Sequence, residues 1–327
     1  MEYSRVTSMA ASAPPRLVSA AQQATRHYVP SRLPTAETPT ISRTTLLQNG
    51  FGLVESLRVA GPRTPKPTAE GYSPDFQVCL PYHGAFVWHV GDDDVVADPN
   101  RVLFVAGGEG FRLSQPVHGG YGELIVSMHP TLLAELLGVA ERQLPTHPLF
   151  RERSRSADLR LQRLGAECFH RSAHGGWEGL AGEEWLVAFV RSSLAAPPVD
   201  ATISTATTRL LGRAKEYLAA HVSAPIRLSH VARAVGTSPA YLTTIFSRVE
   251  GAPLHRYLVQ LRLARALIEV PHANDLTALA LDLGFSSHSH FTAAFRRAFG
   301  CTPSRFRESM RRDASDVNAA HNAIHHR

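Results

Sequence analysis

The feature that most constrains this chain is an internal repeat near its C-terminus. Leu242, Phe246, Gly251 and Tyr257 recur as Phe291, Phe295, Gly300 and Phe306, each 49 positions further on. Ala232 and Gly236 recur as Ala280 and Gly284 at an offset of 48. The difference of one residue falls in a turn, where an insertion costs little. A segment repeated in this way is one supersecondary unit used twice. The stretch from about 253 to 270 is expected to be a helix joining the two copies.

In the second copy, 279–307 reads as a short helix, a glycine turn and a second helix. Leu279, Ala280 and Leu283 form an apolar stripe at helical spacing. Asp275 is placed to cap the first helix, and Gly284 is its stop, expected in a left-handed conformation. Ser286 or Ser287 can accept the free backbone N–H groups that open the second helix. Phe291, Phe295 and Phe299 recur every four residues and point inward, while Arg296 and Arg297 fall off that stripe. In the first copy Ser238-Pro239 supplies a serine cap with proline at the first helical position. Arg227 stands where a capping Ser or Thr is usual, so the helix starting at Leu228 is expected to fray.

A helix–turn–helix with a polar, cationic second helix fits the major groove of double-stranded DNA. With Leu242, Ile245 and Phe246 turned to the core, Ala240, Thr243 and Thr244 face outward, where bases would lie. The repeat puts Ser289, Thr292 and Ala293 on the matching face, with His288 alongside. Such small side chains touch thymine methyl groups or bond once, and cannot make the bidentate arginine–guanine contact. Arg248, Arg296, Arg297 and Arg305 are the expected phosphate contacts, which position without specifying. Charge supports this placement. Residues 1–202 carry 18 basic and 20 acidic side chains, whereas 203–312 carry 15 and 6. An acidic partner is therefore expected for the second part alone.

Ala280, Gly284-Phe285, Phe291, Phe295, Gly300, Thr302-Pro303 and Arg307 together resemble the second helix–turn–helix of the AraC/XylS family of bacterial transcription regulators. The resemblance implies a two-headed DNA-binding domain acting on promoter or operator DNA, RNA polymerase as a partner and a cytoplasmic location. It also implies a sensory domain ahead of the DNA-binding one, with a small-molecule effector or homodimerisation as its means of control. The stretch from Asp98 to Phe104, through to Gly119-Gly120, looks like the cupin-type version of that domain.

The residues upstream agree in kind. Residues 1–40 are rich in Ala, Ser, Pro, Gln and Arg, and read as a disordered or loosely attached arm. From about 44 to 128, short β-rich runs alternate with turn residues, which suggests a sandwich or small barrel. The stretches 76–80 and 84–90 are two such runs; in the second, Phe86, Trp88 and Val90 share one face, and Val87 and His89 the other. Asp92 to Asp94 read as a solvated turn. Amphipathic helices follow over 131–137, 158–171 and 183–194, the last two offering either a dimer contact or packing on their own barrel. The expected architecture is α+β in two domains. A cupin-like β-barrel with helices spans 41–195, a linker 196–207, and an all-α DNA-binding domain 208–312 with two helix–turn–helix units joined by a helix. A flexible tail covers 313–327.

Phe86, Trp88, Phe104 and Phe111 could line a ligand pocket in the barrel or simply fill it as core. Metal cupins need an HxH pair on one strand, and none occurs in the strand region. His83 and His89 are six apart, His118 lies in a turn, and His288 and His290 fall on a helix, where i and i+2 diverge. Cys79, Cys168 and Cys301 are far apart and form no CxxC motif. No apolar run approaches eighteen residues, so no membrane helix is expected. No catalytic constellation, metal or cofactor is assigned. The expected function is a sequence-specific DNA-binding transcription regulator and not an enzyme. The alternative is a cupin-type metalloenzyme fused to a DNA-binding domain.

Overall fold

The structure, a computed structural model, describes residues 39–174, 177, 180–198 and 204–310. The expected tail, most of the expected arm and the middle of the expected linker lie outside the described residues. The first part holds ten strands: β1 (Thr40–Asn49), β2 (Gly52–Ala60), β3 (Gly71–Tyr72), β4 (Gln77–Gly84), β5 (Phe86–Val90), β6 (Asp93–Ala97), β7 (Arg101–Val105), β8 (Gly110–Ser114), β9 (Tyr121–Met128) and β10 (Ser154–Ser156). They form two antiparallel sheets, of order β1-β2-β9-β4-β7-β10 and β3-β8-β5-β6. Leu57, Phe86, Trp88, Leu103 and Ile125 make the buried layer between them. The other face of the larger sheet carries Val54, Leu80, Phe104 and Leu124 against helices α1 (Pro130–Leu137), α3 (Leu159–Ala173) and α4 (Leu180–Ala195), with the short α2 (Pro148–Glu152) beside β7.

This layering bears on three expectations. Phe86 and Trp88 lie between the sheets, at 1% and 2% exposure, with Phe111 edge-on to Trp88. Phe104 is wholly buried on the opposite face. The four rings therefore line no common pocket: Phe86, Trp88 and Phe104 are core and Phe111 is half-buried against Trp88, because a β-strand sends alternate residues to opposite sides. The hairpin turn after β5 uses only Gly91 and Asp92, since Val90 pairs with Asp93. Asp94 lies in β6, where its Oδ1 is 2.6 Å from His89 Nδ1. The stripes of α3 and α4 are already occupied: Leu161, Cys168, Trp185, Leu186, Phe189 and Val190 all pack into the helix-side core.

The second part is helical: α5 (Thr205–Ala220), α6 (Leu228–Val235), α7 (Pro239–Glu250), α8 (Leu254–Glu269), α9 (Leu276–Asp282) and α10 (His288–Phe299), then helical residues 303–310. The first turn of α5 falls within the stretch expected as linker. The helix α8 serves two cores. Tyr257, Leu258 and Leu261 join Leu211, Val231, Leu242 and Phe246 in the first unit. Leu263, Ala266 and Leu267 join Leu279, Phe291, Phe295 and Phe306 in the second. The N-terminal half of one helix thus holds the first copy of the repeat, and its C-terminal half the second.

The two parts meet over a broad interface. α5 lies along β6, where Gly212 faces Val96, and Val87, on the face opposite Phe86 and Trp88, is buried as well. α3 packs on α8 and α10, and Ala166 enters the second helical core. Between them lies a buried polar network. Glu250 Oε2 accepts from Arg101 Nη2 at 2.5 Å, and Glu250 Oε1 from Lys215 Nζ at 2.7 Å. The Tyr257 hydroxyl donates to Asp98, 2.8 Å from Oδ2, and Asn100 Nδ2 donates to the Tyr257 carbonyl at 3.1 Å. Burial pushes the Glu250 carboxyl up, but Lys215 and Arg101 outweigh it and hold it below its ordinary value. Burial wins at Asp98, whose carboxyl is raised despite Lys215 and Tyr257. A buried cluster of this kind is tolerable only because each charge has an opposite partner.

Candidate nucleic-acid interface

The first unit is α6, a turn at Gly236, and α7. Gly236 has φ 74°, and its N–H and that of Thr237 close onto Arg233 and Ala232 carbonyls. Ser238 Oγ accepts from Tyr241 N at 3.2 Å with Pro239 at the first helical position, and Gly251 ends α7 at φ 68°. Arg227 occupies the cap position of α6 and gives no side-chain cap bond there. The second unit repeats the pattern. Asp275 Oδ1 caps α9 by accepting from Thr277 N at 2.7 Å, Gly284 turns at φ 87°, and Ser287 Oγ accepts from His290 N at 3.1 Å. Gly300 closes α10 at φ 74°. Ser287 is thus the cap, and Ser286 lies 3.1 Å from His290 Nδ1 instead.

On the outer face of α7, Ala240, Thr243, Thr244 and Arg248 are all exposed. Thr243 and Thr244 donate their hydroxyl protons to the carbonyls of Pro239 and Ala240, at 2.9 and 3.1 Å. Their methyl groups and remaining oxygen lone pairs are left for a partner, which suits thymine methyls and base amino groups. On α10, Ser289, Ala293, Arg296 and Arg297 are exposed, and His288 and Thr292 are half-buried with His288 Nε2 3.5 Å from Thr292 Oγ1. Arg305 is exposed on the helical residues that follow. α10 also touches α3, yet the outward-facing residues Ser289, Ala293, Arg296 and Arg297 of α10, like those of α7, stay exposed.

Sequence reasoning passed over three features. Tyr241 is 50% exposed beside Ala240, a large ring on a face otherwise made of small groups. Arg262 is a structural clamp: Nε donates to the Val222 carbonyl at 2.8 Å and Nη2 to that of Ala224 at 2.9 Å, with the guanidinium over Phe285. Arg307 ties the last helical residues to the Ala273 carbonyl at 2.9 Å, which gives that residue of the motif a structural task.

The family described as "Helix-turn-helix domain" matches residues 231–309, the whole of both units except the start of α6. The regulatory protein SoxS of Salmonella typhimurium is 33% identical over 96 residues, which are 29% of this chain and 90% of SoxS. The chain belongs to the AraC/XylS family of transcription regulators. The regulatory protein PocR, from the same organism, is 30% identical over 99 residues, 30% of this chain and 33% of PocR. The chain therefore spans about a third of that relative's length. An AraC-type DNA-binding regulator from Chromobacterium violaceum, a solved structure, is 27% identical and covers 33% of this chain and 96% of its own, at a TM-score of 0.31. The family model falls on the helical part, which is thus its DNA-binding region. None of the described helices is long and apolar enough to cross a membrane.

Proposed function

We propose that the whole chain is a DNA-binding transcription regulator whose β-rich, cupin-like part controls two reading heads. The observation that carries this reading is the pair of capped helices α7 and α10. Each presents small polar side chains at its start and arginines at its end, in the region that holds the excess positive charge. Ala240, Thr243, Thr244, His288, Ser289, Thr292 and Ala293 are the proposed base-facing residues, and Arg248, Arg296, Arg297 and Arg305 the phosphate contacts. The family supports operator DNA as the partner, with RNA polymerase contact, homodimerisation and a cytoplasmic location as further parts of the proposal. The metalloenzyme alternative gains no support: the matched relatives are regulators, and among the described residues no three His, Cys, Asp or Glu side chains stand together as metal ligands.

Binding to a randomised DNA library at several salt concentrations tests the assignment of faces. Thr244→Ala should change the preferred base at one or two positions, by about 1–3 kcal/mol of discrimination. Arg297→Ala should weaken all sequences alike and lower the salt slope by about one. If Arg297→Ala reshapes base preference while Thr244→Ala only scales affinity, the two faces are inverted.

A further inference from the structure

The repeat carries more than apolar positions. Tyr241 and Arg248 of α7 recur, 49 positions on, as His290 and Arg297 of α10. Each pair is a polar ring followed seven residues later by an arginine, and all four residues are exposed. An α-helix turns by about 100° per residue, so residues seven apart return to within about 20° of one another. With Ala240 taken as the outermost point of α7, Thr244 lies about 40° round, and Arg248 and Tyr241 about 80° and 100° round. On α10, Ser289 stands for Ala240, and Ala293, Arg297 and His290 follow at the same angles. The buried Leu242 and Phe291 lie on the opposite sides of the two helices. Each helix thus has a central face of small groups. On the same flank of each, a ring stands near the start and an arginine near the end.

The polar tips of both rings are free. The Tyr241 hydroxyl has no hydrogen-bond partner among the described residues. His290 is held by one edge only: its Nδ1 lies 3.1 Å from Ser286 Oγ, and its ring stands edge-on to Phe285 with centroids 5.4 Å apart. When Nδ1 accepts the Ser286 hydroxyl proton, the ring proton is on Nε2, which has no partner among the described residues. A phenol and a neutral imidazole can each donate one hydrogen bond. A helix lying in the major groove turns its centre to the base edges and its flanks to the sugar–phosphate walls. Side chains on a flank therefore meet phosphate oxygens, for which a tyrosine hydroxyl is an ordinary donor. Ring and arginine are about 10 Å apart along the helix axis, so together they hold one wall at two points and fix the tilt of the helix in the groove.

We propose that Tyr241 and His290 are phosphate-binding residues that position the two reading helices, each on the same DNA strand as the arginine of its own flank. This rests on the placement of α7 and α10 in the major groove proposed above, and adds a neutral, uncharged grip to it. For the test, the full chain selects duplexes from a randomised library, and binding to a selected duplex is measured at several salt concentrations. Tyr241→Phe removes one exposed oxygen and keeps the ring, so the variant should melt as the parent does. It should bind about tenfold more weakly at every salt concentration, with the salt slope and the base preference unchanged, because a neutral donor releases no counterion. Arg248→Ala, by contrast, should lower the slope by about one. A methylphosphonate, which replaces a charged phosphate oxygen by a methyl group, is then placed at one position of the duplex at a time. At one position in the first half-site the parent should lose affinity and Tyr241→Phe should not; His290→Phe should show the same at the matching position of the second. A Tyr241→Phe variant that binds as the parent does, that lowers the slope, or that shifts base preference would overturn the proposal. A parent that selects no duplex would remove the regulator reading and this inference with it, whereas a parent that selects DNA and is matched by Tyr241→Phe removes the inference alone.

Discussion

Glu123 and His83 sit on the neighbouring strands β9 and β4, and burial pushes them in opposite directions. The Glu123 carboxyl is raised from 4.5 to about 7 by burial, with Arg43 pulling it back only in part. The His83 imidazole falls from 6.5 to about 4, from burial and then Arg58 and Arg265. The fold therefore favours protonated Glu123, so its contribution is fully present below pH 4.5 and is lost as pH rises through about 7. It also favours neutral His83, whose contribution is lost as pH falls from 6.5 towards 4. Glu123→Gln should stabilise the protein at pH 8, by up to about 3 kcal/mol, and change little at pH 4.5. Thermal melts at the two pH values check this; an equal gain at both would place the cause outside the titration of Glu123. Neither shift could be read from the sequence. An acid or a histidine on a strand acquires its shift from neighbours that only the sheet register brings together.

At the level of elements, the turns of the two helix–turn–helix units differ in a way that the repeat conceals. Gly236 and Gly284 both have positive φ, at 74° and 87°. A Cβ on Gly236 would meet nothing within 4 Å, whereas one on Gly284 would lie 2.9 Å from the Ser223 backbone and from Arg262 Nη2. Gly236→Ala should thus cost only the left-handed penalty, about 1–2 kcal/mol. Gly284→Ala should cost that and the displacement of the loop after α5, which the Arg262 clamp resists. Urea denaturation of both variants decides it, and equal losses would mean that the loop yields freely. Much of this layer was legible beforehand. The caps at Asp275 and Ser238, the glycine stops and the inward phenylalanines all follow from local rules of spacing and hydrogen bonding. The β-rich part was less legible, because alternation shows that Phe86, Trp88 and Phe104 are buried but not on which side of a sheet. The contact between α5 and β6 left no trace in the periodicity of either.

For the whole molecule, the deciding feature is that Glu250 closes the first reading helix and also closes the domain interface. Lys215 and Glu250 look like surface charges on their helices, and only the arrival of Arg101 and Asp98 makes them interior. Glu250→Ala in the full chain leaves Arg101 and Lys215 buried without a carboxylate, which should cost about 3–5 kcal/mol. In a fragment of residues 203–312, which lacks Arg101, the Lys215–Glu250 pair is open to water, and the change should cost about 1 kcal/mol or less. The family makes such a fragment reasonable, since its model lies within it, at residues 231–309, and 96 residues of this chain match 90% of SoxS. Denaturation of the four proteins measures the difference directly. Equal losses in chain and fragment would show that the interface does not bury the pair in solution.

The helix α8 has a consequence on the DNA side. It is 16 residues long, about 24 Å, and its side chains are shared between both cores, so the reading heads stand at the ends of a rod. Arg262 pins the middle of that rod to the loop after α5 and to Phe285 of the second unit. One base pair added between two half-sites shifts the second by about 3.4 Å and swings it by about 34° around the duplex. A rod held at three points cannot follow by sliding; the duplex must twist, or one head must let go. Tolerance of an altered spacer would then be set by the stiffness of a helix that reads no base.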